Sequence, residues 1–390
     1  MKVAFVHDCL TTFGGAERVL LKLHELYPEA PIYTLMYDKK KMDKYFSGIE
    51  IRTSYLQTVY NIIHNYKILL PFMPRAIEEF DLSGFDLVIS SSYICAKGVN
   101  LNADTTHICY CHTPMRYAWD LYFQYNNSKN IFKRYIISKL MHELRIWDRI
   151  SADRVDYFIA NSKNVANRIK KHYKADAKVI YPPIKNVFYN CKDNESGKDV
   201  LEDAEIDAEN KITINETKIG DYYLAVSRLV EYKKMDIIID AFNENKKKLI
   251  VVGSGPEEKK LRKKAKSNIK FIKGINDEEL ANYYKHCKAF VFMAEEDFGM
   301  VMAEAEASGR PVIAYGKGGA KEMVNSKTGI LIDNQDKDSL NEAIEVMEEK
   351  YLEYDANRIK EFAKRFSEET FLNDMKKFIS EVKFWNEKIF

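Results

Sequence analysis

Two carboxylates, Glu296 and Glu304, are separated by the seven residues "DFGMVMA". The apolar run before them, "AFVFM", reads as a strand, Gly299 as the turn after it, and "MVMAEAEAS" as a helix. A helix beginning there leaves backbone N–H groups unpaired around Phe298, Gly299, Met300 and Val301, a ready site for a diphosphate. Carboxylates repel phosphate but accept well from paired sugar hydroxyls. Acids on both sides of a phosphate-binding helix start therefore imply a ligand with a sugar at each end, a nucleotide sugar. The plain alternative is that Glu295, Glu296 and Asp297 only complement the helix dipole. That leaves Glu304 unexplained, along with "GKGGAKE", whose Gly318, Gly319 and Glu322 again follow a strand.

Two cations fit the same chemistry. In "VSRLVEYKK", Arg228 directly follows a strand and Lys233 comes five residues later. Cations at a strand end can neutralise a departing diphosphate, although a lysine pair is more usually a solvated surface run. "TTFGGAERV" sets Gly14 and Gly15 between a strand and a helix, but it is not the dinucleotide fingerprint G-x-G-x-x-G. "VVGSGPEE" offers only a tight turn and a helix start at Pro256.

"HICYCHTPMRYAWD" gathers two cysteines, two histidines and an arginine. Read as a strand, it alternates His107, Cys109 and Cys111 on one face with Ile108, Tyr110 and His112 on the other. It has no C-x₂-C knuckle and no second ligand pair at zinc spacing, so the cysteines read as core. His112 emerges at the carboxyl end with Arg116 one turn further on, and the two are candidates for donor or acceptor contacts.

These residues sit on a regular alternation of strands and helices. "KVAFVHD", "PIYTLMYD", "FDLVISSS", "THICYCH", "VDYFIANS" and "AKVIYPPIK" form one series. "YYLAVSR", "DIIIDAF", "KKLIVVGSG", "IKFIKG", "KAFVFMA", "RPVIAYG" and "GILID" form a second. The fold class expected is α/β: two facing Rossmann-like doubly wound domains with an interdomain cleft, ligands lying at the carboxyl ends of the strands. The first domain should span residues 1–185, completed by the helix at 370–390, and the second residues 221–369. Between them, residues 186–220 read as a charged insertion or linker, with a small hairpin at "KITINETK". Pro182-Pro183 marks a hinge or linker.

The 390 residues are 46% hydrophobic with a net charge of +2, which gives no general case for nucleic-acid binding. Six scattered cysteines do not form a disulfide framework, and the chain opens on a strand without a signal-peptide pattern, so a cytoplasmic setting is expected. No apolar run approaches a membrane span, but residues 129–150 read as a helix that mixes Lys129, Lys133, Arg134, Lys139 and Arg145 with large apolar groups. Such a helix suits peripheral contact with the inner leaflet, or equally an ordinary helix packed on the core. The one D-x-D, Asp336-Lys337-Asp338, precedes "SLNEAIEVMEEK" and reads as helix capping, so no catalytic metal is expected.

Taken together, "EEDFGMVMAE", "SRLVEYKKMD", "GSGP", the early double glycine and "CHTPMRYAWD" resemble the family-four retaining glycosyltransferases of GT-B architecture, closest to mannosyltransferase-like members. The resemblance covers nearly the whole chain. It implies that Glu304 holds the nucleotide ribose, and that Glu296 and the amides after Phe298 hold the hexose. It further implies that Arg228 and Lys233 bind the diphosphate with Gly15 close by, and that His112 lies near the transferred sugar. It points to GDP-mannose as donor, a glycan or polyprenyl-linked lipid as acceptor, and a leaving phosphate oxygen that takes the acceptor's proton. Lys185 departs from the family pattern, where Asp is common. A nucleotide-sugar epimerase on the same plan, or a non-catalytic nucleotide-sugar binding protein, remains as the alternative.

Overall fold

The structure is a computed structural model that describes residues 1–126, 130–190 and 221–389. Its contacts divide the chain into two compact units, Met1–Pro183 with Phe371–Phe390, and Ile184–Thr370.

The first unit is built on a parallel sheet of seven strands, in the order β3-β2-β1-β4-β5-β6-β7. These are β1 (Val3–His7), β2 (Ile32–Thr34), β3 (Ile51–Thr53), β4 (Leu87–Ser92), β5 (Thr106–Cys111), β6 (Tyr157–Ala160) and β7 (Ala177–Val179). β1 and β4 are buried throughout, as strands at the centre of a covered parallel sheet must be, although β4 ends in three buried serines. The alternation expected in β5 is present. Ile108 and Tyr110 pack with Phe5, Ile159 and Phe371. Cys109 and Cys111 pack with Phe158, Val165 and Ile169. Phe371, Met375 and Ile379 of the long helix Glu368–Ile389 belong to the core of this first unit.

The second unit carries six parallel strands, in the order β10-β9-β8-β11-β12-β13. They are β8 (Tyr223–Val226), β9 (Leu249–Val252), β10 (Ile269–Ile272), β11 (Phe290–Phe292), β12 (Val312–Tyr315) and β13 (Gly329–Ile332). In both sheets the chain reverses direction across the sheet beside its first strand, between β1 and β4 and between β8 and β11. Such switch points open a crevice at the carboxyl ends of the strands, where flanking loops part to opposite faces.

Two expectations need correction. "DIIIDAF" is not a strand but part of the helix Met235–Asn245. Among its buried residues Met235, Ile238, Ile239 and Phe242 fall at i, i+3, i+4 and i+7, the spacing of one helix face. The supposed linker does not begin at residue 186. Asn186–Tyr189 is a short helix that places Phe188 against Tyr284 within the second unit. Ile184 is bound there too, its N–H donating to Phe366 O at 2.7 Å. The remainder of that linker, with the "KITINETK" hairpin, lies outside the described residues.

Candidate functional site

β8, β11 and β12 are neighbours in the second sheet, so the loops that leave their carboxyl ends converge. Arg228 follows β8 and is exposed. Its loop is clamped from both sides: Ser227 N–H donates to Val252 O (3.1 Å) and Leu229 N–H to Ser254 O (2.9 Å). Two glycines permit that approach. A Cβ on Gly253 would lie 1.9 Å from Ser227 O, and one on Gly255 2.3 Å from Leu229 O. "GSGP" thus has a function that its sequence alone did not disclose, which is to hold the arginine-bearing loop.

Lys233 ends a 3₁₀ turn, and its Nζ lies 2.6 Å from Glu296 Oε1, with both side chains largely buried. The ammonium also faces the Phe292 ring, at 5.3 Å from its centroid. Glu296 is fixed through its backbone, its carbonyl accepting from Gly319 N–H at 2.8 Å. Gly318 has φ +61°, and a Cβ there would stand 2.2 Å from that same carbonyl oxygen. Gly299 turns the chain at φ +94° into the helix Met300–Ala307. Phe298 is buried, edge-on to Phe366 at 5.3 Å. Glu304 lies further along that helix at 4% exposure, with the Tyr284 hydroxyl 3.2 Å from its carboxyl group. The same hydroxyl is 3.0 Å from Val301 O. Lys233, Glu296, Gly318 and Gly319 are therefore in direct contact. Phe298 to Val301 continue from them, and Arg228 stands at the neighbouring strand end.

The first unit assembles a second group at its own switch point. His7 ends β1, Ser91 is in β4, and His112 directly follows β5. Ser91 Oγ lies 3.0 Å from His7 Nδ1 and 2.8 Å from His112 Nε2. The other nitrogen of His7 is 3.4 Å from Glu17 Oε1, in the first turn of the helix Gly15–His24. Gly14 caps that helix, and a Cβ on it would come within 3.2 Å of the Glu17 carboxylate; Gly15 is exposed at the helix start. Burial pushes the His112 imidazole down to about 3, and the neighbouring His7 adds to the shift, so His112 is neutral near pH 7. Arg116 is half-buried, one of the cations that lower Asp120 after its hydrogen bond to His172.

Beside this group, the buried Asp8 carboxylate accepts four backbone N–H bonds, from Tyr93, Ile94, Cys95 and Ala96, at 2.6 to 2.8 Å. It ties the end of β1 to the loop after β4. Lys97 and Asp148 form a fully buried ion pair at 2.8 Å. Asp148 also accepts from Trp119 Nε1 (2.7 Å) and Tyr173 OH (3.0 Å), which anchors the "RYAWD" segment to two helices. Sequence reading found neither. Their only sequence signal is a charged residue inside an apolar stretch.

The helix Ile131–Ser151 exposes Ile131, Phe132, Tyr135 and Ile136 beside Lys133, Arg134 and Lys139. Arg145 is not part of that face, since it donates to Ala118 O at 2.9 Å and lies over the Tyr122 ring. Lys129 lies outside the described residues. No helix among the described residues is long and apolar enough to cross a membrane. Asp336 is an N-cap, accepting from Ser339 N–H at 2.8 Å. Among the described residues no group of three or more His, Cys, Asp or Glu side chains could hold a metal ion.

Comparison with known proteins places this architecture. Residues 13–186 match the family described as Glycosyltransferase Family 4, and residues 207–366 match Glycosyl transferases group 1. Both parts of the chain thus match glycosyltransferase families, family four in the first and group 1 in the second. Among its relatives, O-antigen chain mannosyltransferase C of Escherichia coli is 28% identical over 181 residues, 44% of this chain and 48% of that protein. A GDP-mannose-dependent monoacylated alpha-(1-6)-phosphatidylinositol monomannoside mannosyltransferase of Corynebacterium glutamicum is 34% identical over 30% of this chain and 35% of that protein. The matched part thus spans less than half the length of these two relatives. Alpha-1,3/1,6-mannosyltransferase ALG2 of Dictyostelium discoideum is 23% identical over 87% of this chain and 88% of its own length. Among solved structures, Anabaena HepE in complex with UDP matches 98% of this chain and all of its own at TM-score 0.69 and 19% identity. Sucrose-phosphate synthase of Thermosynechococcus elongatus matches 97% of this chain and 99% of its own at TM-score 0.72 and 17% identity. At such identities these structures speak for the fold alone, GT-B with two Rossmann-like domains.

Proposed function

We propose that this chain is a retaining hexosyltransferase that moves mannose from GDP-mannose to a glycan or lipid-linked acceptor, without a catalytic metal. The observation that carries the reading is the contact group Lys233–Glu296–Gly318–Gly319 beside a helix start, with Glu304 further along the same helix. In this reading the amides of Phe298 to Val301 and the cations Arg228 and Lys233 bind the diphosphate and stabilise it as it leaves. Glu304 takes the ribose hydroxyls and Glu296 those of the hexose, while Gly14 and Gly15 leave room near the phosphates. His112 and Arg116 serve the transferred sugar and the acceptor. The acceptor hydroxyl attacks on the face the diphosphate leaves, and its proton passes to a phosphate oxygen. Charge neutralisation by side chains and amides supplies what a divalent ion would supply elsewhere.

Mannose and the guanine nucleotide rest on the names of relatives, two of which act on mannose-bearing lipids or glycan chains. A membrane-bound acceptor accords with the apolar and basic face of the helix Ile131–Ser151, which suits the inner leaflet of a membrane. The test is a thermal-shift screen of GDP- and UDP-sugars on the wild type and Glu304→Ala. GDP-mannose should raise the wild-type Tm and shift the variant much less. Equal shifts in the two proteins would remove Glu304 from the donor site. Release of GDP that depends on an added acceptor separates transfer from epimerisation and from mere binding.

A further inference from the structure

Ser91 hydrogen-bonds two imidazoles with a single hydroxyl proton. Its Oγ sits 3.0 Å from His7 Nδ1 and 2.8 Å from His112 Nε2, so it can donate to at most one of the two rings and must accept from any ring to which it does not donate. Glu17 decides between the two arrangements. Its carboxylate can only accept, and it faces His7 Nε2 at 3.4 Å, so on a neutral ring the proton sits on that nitrogen. His7 Nδ1 then carries the lone pair and takes the Ser91 hydroxyl proton. Ser91 Oγ is left as an acceptor, which His112 can satisfy only with an N–H at Nε2. In the reverse arrangement a lone pair of a neutral His7 would face the carboxylate with no proton between them, in a site where His7 is fully buried and Glu17 is 6% exposed. Unscreened, that repulsion is costly.

We infer that Glu17, His7 and Ser91 act as a positioning relay that fixes His112 as its Nε2–H tautomer, leaving Nδ1 as a hydrogen-bond acceptor for a hydroxyl of the bound sugar. The sugar contact rests on the glycosyltransferase reading; the relay does not. Three independent strands or helices supply its members, and three built features hold the group in line. The carbonyl of His112 is gripped by Asn161 Nδ2 at 2.9 Å, which fixes the backbone from which the ring projects. The Tyr110 ring lies 5.2 Å from the His112 ring and limits its rotation. Gly14 keeps clear the space beside Glu17. A neutral imidazole fixed as acceptor discriminates: it welcomes a hydroxyl and refuses a carbonyl or ether oxygen in the same place.

The experiment uses the full chain with ¹⁵N-labelled histidine. Long-range ¹H–¹⁵N spectra near pH 7, with His112 assigned by its absence in His112→Asn, report which ring nitrogen is protonated. The expected pattern is Nε2–H with a bare Nδ1 in the wild type, a mixture of tautomers in Ser91→Ala, and the wild-type pattern restored in Ser91→Thr, which keeps the hydroxyl. A wild-type Nδ1–H tautomer, or a pattern that Ser91→Ala leaves unchanged, overturns the relay whatever the enzyme turns over. Nucleotide sugar that raises Tm should also move the Nδ1 resonance; a sugar that binds without moving it overturns the sugar contact, while no Tm shift with any nucleotide sugar counts against the glycosyltransferase reading instead. In turnover, Ser91→Ala should lower kcat about tenfold, the effect of roughly one hydrogen bond in the transition state, with little change in donor KM. A purely structural serine would lower Tm and leave the tautomer alone.

Discussion

Glu306 offers a quantitative test of the packing around the helix Met300–Ala307. It is fully buried in the helix Met300–Ala307, and neither carboxyl oxygen has a hydrogen-bond partner among the described residues. Burial raises its carboxyl to about 8; Thr328 and the Arg365 guanidinium pull the other way without overcoming it. The folded protein therefore keeps a proton that the unfolded chain has lost. The stability this contributes is fully present below the unfolded value of 4.5 and disappears as pH rises towards about 8. At ~1.4 kcal/mol per unit, the loss is roughly 3 kcal/mol by about pH 7 and up to roughly 5 kcal/mol across the whole window. Glu306→Gln cannot ionise and should lack this slope. Glu306→Met, which replaces an unsatisfied polar group with an apolar one, should be the most stable of the three above neutral pH. The assay is urea unfolding at a series of pH values, followed by far-UV circular dichroism and by hydrogen exchange in the 300–307 segment. Tryptophan fluorescence would report the wrong unit, since Trp119, Trp147 and Trp385 all belong to the first. Wild type and Glu306→Gln running parallel from about pH 5 to about pH 8 would falsify the argument that this carboxyl is buried and neutral.

Two further changes probe the scaffold. Lys97→Met leaves Asp148 charged and buried without its ammonium, so the first unit should lose about 3–5 kcal/mol in urea unfolding followed by tryptophan fluorescence; a loss under about 1 kcal/mol would mean that the pair is solvated. Gly318→Ala meets both a left-handed φ and a carbonyl oxygen 2.2 Å away. It should push Glu296 out of place and weaken nucleotide-sugar binding about tenfold in calorimetric titration, as expected for ~1–2 kcal/mol of strain. Unchanged affinity would show that the Glu296 backbone does not need that glycine.

Local pattern made much of this protein legible. Strand periodicity placed Tyr110 and Cys111 on opposite faces of β5, because side-chain alternation needs only the chain itself. Capping is equally local: Asp336 caps its helix by accepting from Ser339 N–H. Pattern failed where a short apolar run fits both periods, as in "DIIIDAF", and only packing against neighbours chose the helix. Position relative to strand ends brought the candidate residues into view, since a doubly wound sheet gathers at one edge the loops that leave its strands.

The sequence by itself determined the succession of elements, the two-sheet class, and the residue types just beyond β5, β8, β11 and β12. Tertiary structure alone decided which of these touch. The Lys233–Glu296 contact, the backbone clash that reserves position 253 for glycine, the four amides on Asp8 and the sharing of Ser91 between His7 and His112 all join residues from different strands or loops. No local rule reaches that far. The energy of a hydrogen bond or ion pair depends on distances of a few tenths of an ångström and on exclusion of water, and both are fixed only when the strands have packed.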